Sequence, residues 1–305
     1  MAKTKSAAAK TKVTSAEQAP AEFDIATGAL REIVVFIRGG GTATAVLDFA
    51  GALAKEHGAR LIGAFVQPEP PLTTAETFAR GKGIKEVSDT QQSRLEEAEA
   101  GYRTEFENVV RQNGLRSEWR SLAHFSSDVA VSAYYADLVV IARPESETPQ
   151  AGPSGLAESL VLSSGRPILL FPHDSKVSQI RRVVVAWNTT REAVRAAADA
   201  LPLLARAEAV EVLVIDHERH KASHGQEPGA DIARHLARHG AKVEVRRLSS
   251  DGKNVGQLML SQATAFKADL LVMGAYGHSQ LREWVFGGVT RTVLYQATIP
   301  VLMSR

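Results

Sequence analysis

The sequence predicts two tandem doubly wound α/β domains, each with a five-stranded parallel sheet flanked by helices. The chain of 305 residues has room for two such domains, because domains usually hold on the order of 100 to 200 residues. The same order of apolar and helical segments occurs twice along the chain. The apolar segments are also short and continuous, which is typical of strands buried on both faces of a parallel sheet.

The repeat is visible in three pairs of segments. "REIVVFIRGGGTATAVLDFAGALAKEHGARLIGAFVQ", from Arg31, has the layout of "RRVVVAWNTTREAVRAAADALPLLARAEAVEVLVID", from Arg181. "ADLVVIAR" parallels "ADLLVMGA", and "GRPILLFP" parallels "ATIPVLMS". Each copy alternates strand-like and helix-like segments, which predicts right-handed crossovers and a parallel sheet.

The repeat also sets the domain boundaries, which we expect at 30–174 and 175–305. Residues 1–29 precede them and include four lysines by position 12. This segment lacks the apolar stretch of a signal peptide, and its composition favours a disordered, solvated tail. A targeting or nucleic-acid-binding arm is the alternative.

The elements are predicted in order along the chain. In the first domain we expect strands at 31–37, 59–66, 117–121, 137–142 and 167–171, with a loop from 68 to 90 ahead of a long helix containing "SRLEEAEAGYRTEFENVVRQNG". In the second domain we expect strands at 181–187, 209–215, 243–247, 269–273 and 299–303, and helices at 190–206, 229–239, 254–266 and 288–297.

Composition excludes several classes of function. Lys plus Arg number 36 against 34 Asp plus Glu, so no global field favours nucleic acid. The chain has no cysteine, which excludes disulfides and thiolate sites. No apolar run reaches the ~18 residues that span a bilayer. We therefore expect a cytoplasmic protein with no membrane partner.

A glycine-rich segment follows the fourth strand of the second domain, where ligands of doubly wound sheets bind. Its pattern is G-x2-G-x9-G, formed by Gly274, Gly277 and Gly287, with Gly288 next. A helix that begins near Gly288 would present unpaired N–H groups and its positive dipole end, which suit a phosphate. On spacing alone, an ordinary glycine turn with a helix cap is the favoured interpretation.

Other motifs fit poorly. No Gly-Lys-Ser/Thr follows the glycines as in a Walker A loop, and neither first strand turn carries the dinucleotide fingerprint. "GHSQL" lacks the last glycine of a nucleophile elbow, and Ser279 lies too far past the strand. The histidines of "DHERHKASH" and "HLARH" have no fixed third ligand, so we expect neither a metal site nor a hydrolase.

The G-x2-G-x9-G pattern, between an "MG" strand end and a helix leading to "IPVLM", resembles the ATP-binding signature of the universal stress protein family. The resemblance implies a nucleotide site whose adenine and ribose lie near the ends of the first, second and fourth strands. It implies that the phosphates lie around the last glycines. The positions that match are Ala186, Trp187, Asn188, Val214, Met273, Gly274, Gly277, Gly287, Gly288, Val289 and Thr290.

The sequence departs from that signature at two positions. Gly288 replaces a Ser or Thr, which removes one hydroxyl worth about 0.5 to 1.5 kcal/mol, although Thr290 could supply another. Asn188 replaces an Asp and removes a charge. Trp187 could stack on a base or fill the pocket.

The first domain has lost the motif. Arg143 and Pro144 follow its fourth strand, and we expect this copy to serve mainly as a packing partner. We expect Arg38 and Arg143 to be solvated surface residues.

By resemblance, the function is that of a stress-response protein that binds an adenine nucleotide, ATP with Mg²⁺, in its second domain. No general base is evident, so at most slow hydrolysis is expected. The alternative is a nucleotide-independent interaction or scaffold protein whose site has degenerated. Two copies in one chain are expected to pair with each other, and a homodimer of the whole chain is also open.

Overall fold

The computed structural model describes residues 29–38, 43–67, 82–123, 127–143, 156–216, 227–276 and 288–305. The N-terminal half contains strands β1 (Glu32–Ile37), β2 (Arg60–Val66), β3 (Ser117–Leu122), β4 (Leu138–Ala142) and β5 (Ile168–Phe171), with helices α1 (Ala43–His57), α2 (Lys82–Asn113), α3 (Ser127–Tyr134) and α4 (Leu156–Ser163). The C-terminal half contains strands β6 (Arg182–Ala186), β7 (Ala209–Ile215), β8 (Val243–Leu248), β9 (Leu270–Gly274) and β10 (Val301–Ser304), with helices α5 (Arg191–Asp199), α6 (Leu201–Leu204), α7 (Ala230–Arg238), α8 (Val255–Ala265) and α9 (Gly288–Gln296).

All ten strands belong to one sheet, in the order β3-β2-β1-β4-β5-β10-β9-β6-β7-β8. Every pair within a half is parallel, so the prediction of a two-domain parallel α/β fold is confirmed. The two five-stranded sheets meet at an antiparallel pair of strands, with Leu302 of β10 opposite Leu169 of β5. This pair of strands is the seam between the halves. The halves are therefore paired within the chain, and each covers the open edge of the other.

The core forms two layers, one on each face of this sheet. One layer packs beneath α1, α2, α5 and α7 and includes Val35, Val140, Val185 and Leu302. The other packs beneath α3, α4, α8 and α9 and includes Val34, Val184 and Met303. Both layers contain residues of both halves, so hydrophobic burial is continuous across the seam.

An aspartate precedes the fourth strand of each half and ties down the amino end of the neighbouring strand. Oδ2 of Asp137 accepts the backbone N–H groups of Arg31 and Glu32 at 2.7 and 3.0 Å. Oδ2 of Asp269 accepts those of Arg181 and Arg182 at 2.9 and 2.8 Å. The repeated "ADL" segment therefore supplies a charge-assisted clamp that fixes strand register in both halves.

Two polar contacts connect the halves beside the seam. A guanidinium N–H of Arg143, directly after β4, donates to the carbonyl of Tyr295 in the last turn of α9. The Tyr295 hydroxyl donates to the buried Glu158 of α4 at 2.8 Å. The expectation that Arg143 is solvated was wrong, since its side chain is only 11% exposed, because a helix C-terminus attracts the cation. Arg38 is exposed, as expected.

Two predicted segments differ from the structure. Residues 82–90, expected in a loop, are the first turns of α2, because their Pro-free, charged sequence supports helix as well as the segment that follows. The helix expected at 190–206 is divided into α5 and α6, with Pro202 in the first turn of α6. A proline lacks the N–H of a helix interior and fits only such a first turn.

The buried His57 at the end of α1 makes stability depend on pH. It is 5% exposed, and Nδ1 accepts the backbone N–H of Leu30 at 3.4 Å. Burial, and secondarily the charge of Arg206, lowers the pKa of His57 from 6.5 to about 4. The unfolded chain therefore binds a proton more readily, and stability falls as the pH drops from 6.5 towards 4.

Replacing His57 by Asn should remove this pH dependence. The Asn oxygen keeps an acceptor near Nδ1 but does not titrate in this range. Between pH 7 and pH 5 the free energy of unfolding should fall by about 2 kcal/mol less in His57→Asn than in the unmodified protein. Urea unfolding at the two pH values measures this, with the exposed His239 replaced by Asn as the control. An equal fall in both variants would contradict the assignment.

Candidate functional site

The predicted site lies at the switch in strand order of the C-terminal half. From β6 the chain places β7 and β8 on one side and returns to β9 on the other. Crossover connections diverge at the carboxyl ends of β6 and β9, which leaves a crevice there. The register of β6 with β9 runs to Val185 opposite Val272, so the predicted residues that follow on the two strands start from neighbouring positions.

The end of β6 places two predicted side chains on opposite faces of the sheet. Ala186 is half-buried against the layer beneath α8 and α9. Trp187 is half-buried against the layer beneath α5 and α7, while its backbone N–H donates to the carbonyl of Leu213 at 2.9 Å. The indole therefore packs against the core at the carboxyl end of β6 and remains partly exposed.

Asn188 organises the loop that leads into α5. Its Oδ1 accepts the backbone N–H of Thr190 at 3.3 Å and the Thr190 hydroxyl at 2.9 Å. Between them Thr189 has a φ of 61°. Thr190 is the N-cap of α5, and its oxygen accepts the N–H of Ala193 at 3.3 Å. An aspartate could accept the same bonds, so Asn188 keeps the loop while removing a charge from the crevice.

The end of β7 contains one predicted residue and one that the sequence analysis missed. The Val214 side chain is fully buried, and an added Cβ at Gly229 would lie 3.0 Å from its Cγ2. The whole residue is 0% exposed, so its main chain is buried as well as its side chain. Asp216, two residues later, accepts the Ser250 N–H and hydroxyl, each at 2.7 Å. This carboxylate ties the ends of β7 and β8 together.

Gly274 ends β9 in direct contact with the first turn of α5. An added Cβ would lie 2.6 Å from the Ala193 nitrogen and 2.8 Å from Cβ of Glu192. The glycine is required because backbone approaches backbone here. Its neighbour Met273 is buried in the other layer, beneath α9.

The motif's last part begins α9 at Gly288, as predicted. Gly288 is exposed, and no described atom lies within 4 Å of an added Cβ. Val289 is half-buried and Thr290 is only 6% exposed. The exposed point of the first turn is therefore Gly288, and the first N–H groups of a helix have no partner within the helix. Gly277 and Gly287 lie outside the described residues, as do Ser279 and the histidines at 217, 220 and 224.

Tyr276 connects this edge of the sheet to the seam. It follows β9 with a φ of 60° and is half-buried. Burial, and then the charge of Glu158 in the N-terminal half, raises the pKa of the Tyr276 hydroxyl. The hydroxyl therefore stays protonated at neutral pH and remains a hydrogen-bond donor beside a buried carboxylate.

The family comparison concerns the half that holds this site. The model of the "Universal stress protein family" matches residues 179–305. The half of the chain that holds the candidate site is thus similar to a universal stress protein domain. No curated protein sequence matches the chain at a significant level.

Solved structures extend the likeness of fold to both halves. A universal stress protein from Archaeoglobus fulgidus DSM 4304 is 16% identical and covers 89% of this chain and 96% of its own, with a TM-score of 0.64. A functionally unknown protein from Pseudomonas aeruginosa PAO1 is 14% identical and covers 90% of this chain and 92% of its own, with a TM-score of 0.57. These likenesses show the fold and fit a tandem arrangement of two universal stress protein folds.

Two further observations concern the described part of the chain alone. It contains no helix long and apolar enough to cross a membrane. It also contains no group of three or more side chains suited to a metal ion. His235 and His239 lie one turn apart on the exposed face of α7.

Replacing Gly274 by Ala should destabilise the protein. The new methyl would overlap the backbone of α5, and overpacking of this kind costs about 1 to 3 kcal/mol. Gly288→Ala is the matched control, since no described atom lies within 4 Å of its methyl, and it should not lower stability. Thermal unfolding measures both variants. A Gly274→Ala protein as stable as Gly288→Ala would contradict the close contact between β9 and α5.

Proposed function

We propose that this protein binds an adenine nucleotide, ATP, at the carboxyl ends of β6 and β9. The observation that carries the proposal is the exposed first turn of α9 at Gly288, in a half of the chain that is similar to a universal stress protein domain and whose β9 ends in Gly274 at the switch point. Free N–H groups at a helix start suit a phosphate. The role of the protein would be nucleotide-dependent participation in a stress response.

The individual contacts follow from the placement of the predicted residues. The phosphates, with Mg²⁺, would meet the backbone N–H groups of Gly288, Val289 and Thr290, with Gly277 and Gly287 completing the loop. The base would lie near the partly exposed Trp187 and the end of β7, where Val214 is buried. On this proposal the nucleotide would lie in a domain spanning residues 175–305, and the domain of residues 30–174 would support it.

We expect ATP turnover to be slow. Asn188 carries no charge, and both carboxylate oxygens of Asp216 already accept hydrogen bonds from Ser250. A general base must reach the proton that it removes, and neither of these two residues offers a free carboxylate. The carboxylate of Glu192 belongs to α5, on the opposite face of the sheet from the start of α9. Binding, not catalysis, is therefore the proposed activity.

A nucleotide-independent scaffold is the second candidate. The observation that favours it is the burial of Thr290, which is only 6% exposed and so offers little surface in place of the hydroxyl absent at Gly288. In that case, the paired halves would act through their surface alone.

Restoring the missing hydroxyl should tighten ATP binding. No described atom lies within 4 Å of the Cβ of Gly288→Ser at the start of α9. One added hydrogen bond to phosphate there is worth about 0.5 to 1.5 kcal/mol, or roughly two- to tenfold in affinity. Gly288→Ala carries the same Cβ without the hydroxyl and should bind like the unmodified protein. Calorimetric titration with ATP and Mg²⁺ measures all three. Absence of binding by the unmodified protein at millimolar ATP would refute the nucleotide proposal and favour the scaffold.

A further inference from the structure

Glu192 is a carboxylate at the switch point that the glycine motif does not include. It lies in the first turn of α5, two residues after the N-cap Thr190. Its Cβ lies 2.8 Å from the position of an added Cβ at Gly274. The half-buried Glu192 side chain therefore starts beside the end of β9, in the crevice between β6 and β9.

The other acceptors on this edge already have partners. Oδ1 of Asn188 accepts two bonds from Thr190, and the two oxygens of Asp216 accept bonds from Ser250. Within the part of the chain that the structure describes, Glu192 makes no hydrogen bond or ion pair. Both of its carboxylate oxygens are thus available to a ligand in the crevice.

The charges around the crevice orient the proposed nucleotide. The N-terminus of α9 lies on the face of the sheet that packs Met273 and Leu294. The first turn of α5, with Ala196 and Ala197 buried behind it, lies on the opposite face. Phosphates are attracted to the start of α9 and repelled by the carboxylate of Glu192. The uncharged, hydroxyl-bearing part of a nucleotide is the part that can lie beside Glu192.

We propose that Glu192 accepts hydrogen bonds from the 2′- and 3′-hydroxyls of the ribose and makes the site selective for ribonucleotides over 2′-deoxyribonucleotides. The inference rests on the proposed nucleotide binding. A carboxylate with two free oxygens matches a vicinal diol, and charged acceptors make the stronger hydrogen bonds. Doubly wound dinucleotide folds use an acidic residue on the ribose in the same way, although from the end of another strand.

Glu192 also has a structural role that the test must separate. An acidic residue in the first turn of a helix interacts favourably with the helix dipole. Losing that interaction would lower the stability of the folded protein, and it would lower the affinity for any nucleotide. It would not change the ratio of affinities for two sugars, so this ratio is the decisive readout.

The experiment compares the affinities of the full chain for ATP and 2′-deoxy-ATP, with Mg²⁺, in the unmodified protein, Glu192→Gln and Glu192→Ala. Loss of one charge-assisted hydrogen bond predicts that the unmodified protein binds ATP about tenfold more tightly than 2′-deoxy-ATP. The ratio should fall in Glu192→Gln and approach one in Glu192→Ala. Glu208→Gln is the matched control, because this exposed carboxylate lies at the other end of the strands, beside Arg181, and should leave the ratio unchanged.

The outcomes separate the inference from the proposed function. Equal affinity of the unmodified protein for both nucleotides, or an unchanged preference in both Glu192 variants, would overturn the role of Glu192 and leave nucleotide binding intact. Failure of the unmodified protein to bind either nucleotide would overturn the proposed function, and the inference with it. Circular dichroism of each variant establishes that a changed ratio comes from folded protein.

Discussion

The antiparallel pair between β5 and β10 covers the edge that each five-stranded sheet would otherwise expose. Strand edges with unpaired N–H and C=O groups invite pairing with another chain. Here β5 and β10 pair with each other, with Val301 opposite Leu170 and Met303 opposite Ile168. The edge strand of each half therefore has a hydrogen-bonding partner in the other half. All six strand residues from Leu169 to Phe171 and from Val301 to Met303 are buried. The remaining outer strands, β3 and β8, are half-exposed and carry charged side chains, which discourages further pairing.

The seam also determines how the N-terminal half can act on the candidate site. Arg143 occupies the position after β4 that corresponds to the start of the glycine loop after β9. Its guanidinium instead holds the last turn of α9, and Glu158 holds the Tyr295 hydroxyl of the same turn. The opposite end of α9 is Gly288, the proposed phosphate contact. A half without the nucleotide motif thus fixes the helix on which the motif of the other half depends.

Much of the fold could be predicted from the sequence, because buried parallel strands leave short apolar runs. The strand at 209–215 and the start of α9 at Gly288 are confirmed at the predicted residues. Pairing of the two copies was expected from the repeat, but the strands that join them could not be predicted, since the pairing of Leu169 with Leu302 leaves no local pattern. The division between α5 and α6 could have been predicted, because Pro202 was visible in the sequence.

The predicted site residues that the structure describes lie around the switch point, but the chemistry of this crevice was only partly predictable. The spacing of glycines indicates that another group lies close to the backbone, but it does not identify that group. At Gly274 the group is the backbone of α5. Glu192 was missed because nothing in its sequence context distinguishes it from a solvated helix residue. The clamps formed by Asp137 and Asp269 were missed as well, although the repeated "ADL" was a signal that could have revealed them.

In the proposed arrangement, one half of the chain binds a nucleotide and the other half supports it. Native mass spectrometry of the full chain at saturating ATP tests this most directly, because it counts bound nucleotides per chain. We expect one nucleotide for each chain, whether the chain is alone or in a dimer. Two nucleotides per chain would contradict the supporting role of the N-terminal half, and none would contradict the site itself.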